Sequence, residues 1–320
     1  MKKQPIDIRK IKVAVLAGGV GSEREVSLAS GANIAKALHD EGLGVIESDI
    51  APDNLTILDD DGIDAFFLAL HGQFGEDGSL QDILEKRGKV FTGSGSKASR
   101  LAFDKVASKK CFREAGVIVA DEIVLNGSST LANVEEQLAR LGNRFVVKPI
   151  RQGSSVGISI LEGVGRAAQA AIDCFRQYGD CLVESYIPGR EFTVGILNGV
   201  ALPVLEIRSR SPFYDYQAKY LADTTEYLFD TLDNAALIKR MQDDAVRCYH
   251  SLGCRHQSRV DMIVNSAGVP YILEINTLPG FTSHSLLPMA AAKAGMPIGK
   301  LCVEILRSAV QDHSTKGSRG

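Results

Sequence analysis

The stretch "FVVKPIRQGSSVGISI", residues 145–160, poses the question on which the fold turns. A β-prone run ends at Lys148-Pro149, a Gly-Ser-Ser-Val-Gly segment follows, and a second β-prone run resumes. A phosphate loop of the G-x-x-x-x-G-K-[ST] type needs a lysine after its second glycine and a helix behind it. Here Gly157 is followed by Ile158-Ser159-Ile160, so the segment reads as strand–loop–strand. Only Gly153 to Val156 separate Arg151-Gln152 from Gly157, too little for a linker. Two readings stay open. One is an ordinary hairpin turn. The other is a loop whose backbone N–H groups, Ser154 and Ser155 hydroxyls and Lys148 charge meet phosphate oxygens.

A chain of 320 residues exceeds the usual single core, so two or three domains are expected. Hydrophobic content of 45% with 23% charged residues fits a soluble globular protein. The net charge of −3 gives no general reason to bind nucleic acid or an anionic membrane. No run reaches the ~18 uninterrupted apolar residues of a membrane span. The start, "MKKQPIDIRKIKVAVLAGG", is broken by glycines before any long apolar region forms, which argues against a signal peptide. Cysteines at 111, 174, 181, 248, 254 and 302 form no C-x-x-C pair. Free thiols in a reducing cytosol are expected, and zinc is not.

Strand and helix signals alternate in the first third. "KVAVLAGG", "VIESDI" and "AFFLALHG" read as strands, with "SLASGANIAKALHDEG" and "SLQDILEKRG" as helices, predicting a parallel α/β sheet. A lysine-bearing helix, "AFDKVASKKCFREAG", then leads into the strand-like segments "VIVADEIVL", "FVVKP", "GISIL" and "CLVESYI". A third block begins near Glu191, interrupted by a polar, aromatic-rich segment from Ser209 to Phe229. The glycines of "GGVGSEREVS" do not make a dinucleotide loop, because G-x-G-x-x-G fails at Arg24 or at Val20 depending on its start. Glu23 and Glu25 would also oppose a pyrophosphate there. An acidic residue at that place suits an ammonium group better.

The stretch "RVDMIVNSAGVPYILEINTLPG", Arg259 to Gly280, is a hairpin by its turn residues Asn265-Ser266-Ala267-Gly268. A two-residue or a four-residue loop gives one register, with Asp261 opposite Glu274 and Arg259 opposite Asn276. Those four side chains then share a face, and Val260, Met262, Val264, Tyr271, Leu273 and Ile275 form the core face. Asp, Glu and Asn oxygens without His or Cys favour a hard cation such as Mg²⁺ held together with substrate phosphates. The alternative is a solvated face carrying surface ion pairs.

Beyond these local readings, the chain resembles the D-alanine–D-alanine ligases of the ATP-grasp superfamily. The resemblance rests on "GSEREVSLASG", "ALHGQFGEDGSLQ", "FTGSGSKASRLAFDK", "VVKPIRQGSSVGIS", "PGREFTVGIL", "FYDYQAKYL", "RVDMIV" and "LEINTLPGFTSHSLLP", in family order and at family-like spacing over nearly the whole chain. It implies an α/β, three-domain ATP-grasp fold with an N-terminal parallel α/β domain. Residues 1–104 would bind substrate, 105–190 form the central subdomain with the phosphate loop, and 191–312 carry the lid loop and metal site. Residues 313–320 would be a disordered tail.

The resemblance also implies roles. Lys105 and Lys148 would contact the phosphates of ATP, with Ser155 and Lys219 nearby. Glu184 and the Ile187 backbone would meet adenine, and Glu191 the ribose. Asp261, Glu274 and Asn276 would hold two Mg²⁺ ions, with Mn²⁺ an allowed substitute. Glu23 would hold the ammonium group of the first D-alanine, with His71 near its carboxyl. Arg259 and the Gly280 N–H would stabilise an oxyanion. Ser285, the Leu286 N–H and Lys219 would orient the second D-alanine, and Glu23, Ser154 and Tyr220 would form a hydrogen-bonded trio. Tyr220 favours a dipeptide over a depsipeptide product. Ser185 and Tyr186 stand where Lys and Trp are frequent in the family, and Leu278 where a small residue is. A cytoplasmic homodimer making a peptidoglycan precursor, with no nucleic-acid or membrane partner, is the resulting expectation. The runners-up are a D-alanine–D-lactate or other carboxylate–amine ligase, and a nucleotide-binding regulatory module without catalysis.

Overall fold

Among the described residues three sheets, built in chain order, carry the protein. The computed structural model describes residues 7–209 and 225–316. The first sheet is parallel, in the order β2 (Gly44–Ile50), β1 (Lys12–Gly18), β3 (Ala65–Leu68). Helix α1 (Arg24–Asp40) crosses it. Gly31, a poor helix former inside α1, is there for closeness: a Cβ would lie 2.5 Å from the Ala17 Cβ of β1. Helix α2 (Ser79–Lys86) follows the third strand.

The expected lysine-bearing helix is divided. Helix α3 (Ser96–Phe103) ends before Asp104, whose side chain accepts from the Val106 and Ala107 N–H groups and so starts α4 (Lys105–Glu114). A capping aspartate, not a change in hydrophobic period, makes the break. Of the run "VIVADEIVL", only β4 (Glu122–Leu125) is strand.

The second sheet is antiparallel: β4, β7 (Cys181–Ser185), β5 (Arg144–Pro149), β6 (Ser159–Glu162), packed under α5 (Leu131–Leu138) and α6 (Val164–Tyr178). β5 and β6 pair antiparallel, as the strand–loop–strand reading required. The loop between them is longer than expected, spanning residues 150–158.

The third sheet runs β11 (Thr225–Phe229), β10 (Leu205–Ser209), β8 (Gly189–Leu197), β12 (Gln257–Asn265), β13 (Pro270–Asn276), with β9 (Val200–Ala201) on β8. Helix α7 (Ala235–Leu252) backs it together with side chains of α3 and α4. Helices α8 (Leu286–Lys293) and α9 (Ile298–Lys316) complete the chain. α9 reaches Lys316, so residues 313–316, expected in a disordered tail, are helical. Among the described residues no single helix is long and apolar enough to cross a membrane.

One core joins the two ends of the chain. Val13, Ile34 and Leu38 of the first sheet and α1 bury against Leu287 of α8 and Leu301, Ile305 and Leu306 of α9. Ile305 is fully buried there. Ile305→Ala should therefore destabilise the protein by ~2–4 kcal/mol, through lost transfer energy and a residual cavity. Urea unfolding followed by circular dichroism measures this. A loss below ~1 kcal/mol would show that α9 is only loosely attached.

Candidate active site

Two compartments meet at one hairpin. The first is lined by Glu23, His71, Ser154, Arg259, Gly280 and Ser285, among others. The second, a cavity of about 230 Å³ between the two antiparallel sheets, is lined by Lys105, Lys148, Ser155, Glu184, Ile187 and Glu191. Asp261 and Glu274 line both. Every site residue expected from the sequence that lies within the described residues lines one compartment or the other. Lys219, Tyr220 and the aromatic stretch around them lie outside the described residues.

The hairpin's register at the site is the expected one, reached by a different route. Arg259 pairs with Asn276, and Asp261 with Glu274. At the turn, however, Asn265 N–H donates to Val269 across a three-residue loop, with Gly268 left-handed. That turn is one residue out of step, and a bulge between Asp261 and Met262 restores the register at the site. The expected core face is corrected accordingly. Ile272 is buried, while Tyr271 is only half-buried and Leu273 turns to line the second compartment beside Ile263.

Asp261 is buried and fully engaged. It accepts from Arg259 (Nε at 2.9 Å, Nη2 at 2.7 Å), from Thr193 Oγ1 at 2.6 Å and from Asn276 Nδ2 at 3.1 Å. Lys105 Nζ lies 3.5 Å from Glu274 and donates to the Gln152 carbonyl at 2.6 Å. Among the described residues no cluster of three His, Cys, Asp or Glu side chains is arranged to hold a metal. Two carboxylates and an amide oxygen on one strand pair still fit Mg²⁺, which keeps few protein ligands and completes its shell with water and phosphate. The Asn276 amide nitrogen faces Asp261, which leaves its oxygen for a cation.

The loop 150–158 is tied down at its base and at its tip. Arg151 pairs with Asp104 at 2.7 Å beneath it. At the tip Ser154 donates to Glu23 at the entry of α1, and Ser154 and Ser155 are both left-handed. This conformation is uncommon for serine and is held by the contacts around it. The opposite wall is set by α1 and α8. Ser30 Oγ accepts from the Phe281 N–H at 3.2 Å, and Asn33 donates to the Phe281 carbonyl at 3.1 Å. These bonds fix the backbone beside Gly280, where a Cβ would come within 2.7 Å of Ser285 Oγ. Ser285 begins α8, presenting the Leu286 N–H at a helix N-terminus.

In the second compartment Ile158, Ile160, Val146, Tyr186 and Leu273 line apolar walls. Arg144 stacks on the Tyr186 ring at 3.8 Å, and Ser185 turns its hydroxyl to the Leu141 carbonyl at 3.0 Å. Ser185 thus presents no hydroxyl here, and Tyr186 supplies a braced flat ring. Leu278 is buried in the core of the first sheet beside Gly93.

Glu76 is a site residue that sequence reasoning missed. It lines the first compartment and accepts from the Gly72 N–H at 2.7 Å. Its position inside "HGQFGEDGSL" was the available signal, overlooked because a lone glutamate in a loop has no periodicity. Burial first, then the nearby Glu23 charge, pushes its carboxyl up to about 8. His71 is displaced the other way: burial, against a hydrogen bond to the Leu278 backbone, takes it down to about 4. Its Nε2 meets Ser30 Oγ at 3.2 Å.

These shifts have opposite consequences for stability. The unfolded chain protonates His71 near its ordinary value while the folded protein does not, so His71 lowers stability as pH falls from 6.5 toward 4. The loss should reach roughly 2 kcal/mol by pH 5. Glu76 holds its proton longer when folded, so it lowers stability as pH rises from 4.5 toward 8. Comparing urea unfolding at pH 7 and pH 5 in wild type and His71→Gln tests the first. The variant should lose distinctly less on acidification, and equal losses would rule the histidine out.

Comparison with known proteins bears on this arrangement. A family model described as "D-ala D-ala ligase C-terminus" matches residues 112–307. The chain is 44% identical over 308 residues to a D-alanine–D-alanine ligase of Pelobacter propionicus, covering 95% of this chain and 97% of that one. It is 41% identical to one of Citrifermentans bemidjiense, again covering 95% and 97%. The structure is similar to that of a Bacillus anthracis D-alanine–D-alanine ligase complexed with ATP, with a TM-score of 0.85, 34% identity, and coverage of 96% and 99%. It is also similar to the VanG D-Ala:D-Ser ligase of Enterococcus faecalis, with a TM-score of 0.82, 28% identity, and coverage of 94% and 99%.

Proposed function

The chain belongs to the D-alanine–D-alanine ligase family, and from that premise we propose how its residues carry the ATP-dependent joining of two D-alanines. The carrying observation is the hairpin: Asp261 and Glu274 stand in the wall shared by the two compartments. A phosphoryl group held by Lys105 and Lys148 on one side therefore faces a carboxylate held by the other. Mg²⁺ bound by Asp261, Glu274 and Asn276 would neutralise the phosphate oxygens that otherwise repel that carboxylate.

Glu23 takes the ammonium group of the first D-alanine. A carboxylate oxygen of that D-alanine attacks the γ-phosphorus of ATP; the bond to the β–γ bridging oxygen breaks, and ADP leaves with a D-alanyl phosphate formed. The amine of the second D-alanine, its carboxylate at Ser285 and the Leu286 N–H, then attacks the acyl carbon. Arg259 and the Gly280 N–H stabilise the tetrahedral oxyanion. The C–O bond to phosphate breaks, the proton given up by the attacking nitrogen goes to the departing phosphate or to solvent, and D-alanyl-D-alanine and phosphate are released. Neutral His71 positions this wall rather than carrying a proton, since Ser30 and the Leu278 backbone hold its ring.

The same reading places the enzyme in the cytoplasm as a homodimer, making a peptidoglycan precursor. ADP release coupled to a spectroscopic readout tests it, with D-alanine as sole amino acid and Mg²⁺ present. No D-alanine-dependent release would end the proposal. Product analysis with D-alanine, D-serine and D-lactate in competition fixes the second substrate: dipeptide of D-alanine should dominate near neutral pH.

A further inference from the structure

A row of alternating charges, buried except at its Arg113 end, runs back from the second compartment, and its central lysine is not itself part of the lining. Lys109 of α4 is 1% exposed. Its Nζ donates to Glu122 of β4 at 2.7 Å and to Glu184 of β7. Glu184 is also buried, and its second oxygen pairs with Lys148 of β5 at 2.7 Å. Arg113 reaches the far oxygen of Glu122 at 2.7 Å. Both oxygens of Glu184 are therefore occupied by lysines. This differs from the role expected of Glu184, since its carboxylate faces ammonium groups in this structure.

We propose that Lys109 is a positioning residue for nucleotide binding, holding Glu184 so that Lys148 is free to turn to a phosphate. This rests on the ATP-dependent reading above. Lys148 and Glu184 alone would cancel, leaving a neutral pair that attracts no phosphate. Lys109 restores one net positive charge to the group, while Arg113 offsets Glu122. When Lys148 leaves Glu184 for a phosphate oxygen, a buried carboxylate would lose its partner, a costly event in a low-dielectric site. With Lys109 in place Glu184 stays paired, and Lys148 exchanges one anionic partner for another. The two lysines hold the Glu184 carboxyl below its ordinary value although burial alone would raise it.

Calorimetric binding of ADP and of adenosine to the full chain isolates the effect. Adenosine has the base and ribose but no phosphate, so loss of the pocket itself weakens both. Lys109→Gln should weaken ADP by ~10–100-fold, the scale of one charge-assisted contact, while adenosine changes by less than about threefold. Lys109→Arg should restore most of the ADP affinity. In the Glu184→Gln background, where Lys148 has no buried anion to leave, adding Lys109→Gln should change the ADP-to-adenosine ratio by less than about twofold. That second comparison still decides the matter if Lys109→Gln alone does not fold. Equal weakening of ADP and adenosine, or the same ADP loss with and without Glu184, would overturn the proposal. Failure of the wild type to bind ADP would instead overturn the nucleotide reading beneath it.

Discussion

Glu274→Gln will fold as the wild type does and lose at least ~10²-fold in turnover at ~1 mM Mg²⁺. The reason lies in the hairpin. Glu274 is half-buried, paired across the hairpin with Asp261 on the same face, with Lys105 Nζ 3.5 Å away, and it lines both compartments. Glutamine keeps the size and the β-pairing, so the core face formed by Val260, Met262, Ile272 and Ile275 is untouched. The substitution removes the carboxylate partner of buried Lys105, which keeps its bond to the Gln152 carbonyl, so a modest loss of thermal stability should accompany the far larger loss of turnover. It also removes an anionic oxygen at the place where a hard cation would be shared between phosphate and protein. Turnover measured against Mg²⁺ concentration, beside thermal unfolding of the metal-free protein, separates the two effects. Normal turnover at limiting Mg²⁺ would dismantle the shared metal face.

Arg259→Ala should cut kcat by ~10²–10³ with both substrates saturating, the scale of removing one donor to a developing oxyanion. In the structure the guanidinium is committed to Asp261 through two parallel bonds and lines the compartment beside Gly280. A fork so held is aimed before substrate arrives, which is what makes such a donor effective. Lysine retains the charge and loses the fork, so Arg259→Lys should recover less than a tenth of the lost rate. Because Asp261 keeps Thr193 and Asn276 as donors, its own position should survive the change. Steady-state kinetics with D-alanine and ATP varied separately provide the measurement. A variant that loses affinity for ATP but keeps kcat would move Arg259 from the chemistry to nucleotide binding.

The chemistry of this molecule was more legible in its sequence than the geometry that supports it. Strand alternation put Asp261 and Glu274 together because a side-chain period of two leaves little freedom once the turn is found. The same rule misassigned Tyr271 and Leu273, since a bulge adds one residue without any mark in the composition. The break between α3 and α4 depends on one capping side chain, Asp104, in a stretch of unbroken helical character. Lys109 was invisible for a related reason. A lysine in a polar helix reads as solvated, and only the tertiary arrangement shows it buried between two glutamates from a neighbouring sheet. The hairpin face was readable from regular spacing, whereas the Asp104 cap and the bulge, although local, interrupt a period without changing it in composition. Lys109, whose partners lie across the fold, left no mark in the sequence at all.

The core shared by α1 and α9 bears on how this chain is made. The first sheet and α1 are synthesised before Leu301 and Ile305, which complete the core that Ile34 and Leu38 share with Val13 of β1 and Phe67 of β3. That core therefore stays open on its α9 side until those residues are made, and the unfilled side is apolar. Cellular yield should then depend less on the stability of the finished enzyme than on how well that waiting surface is shielded.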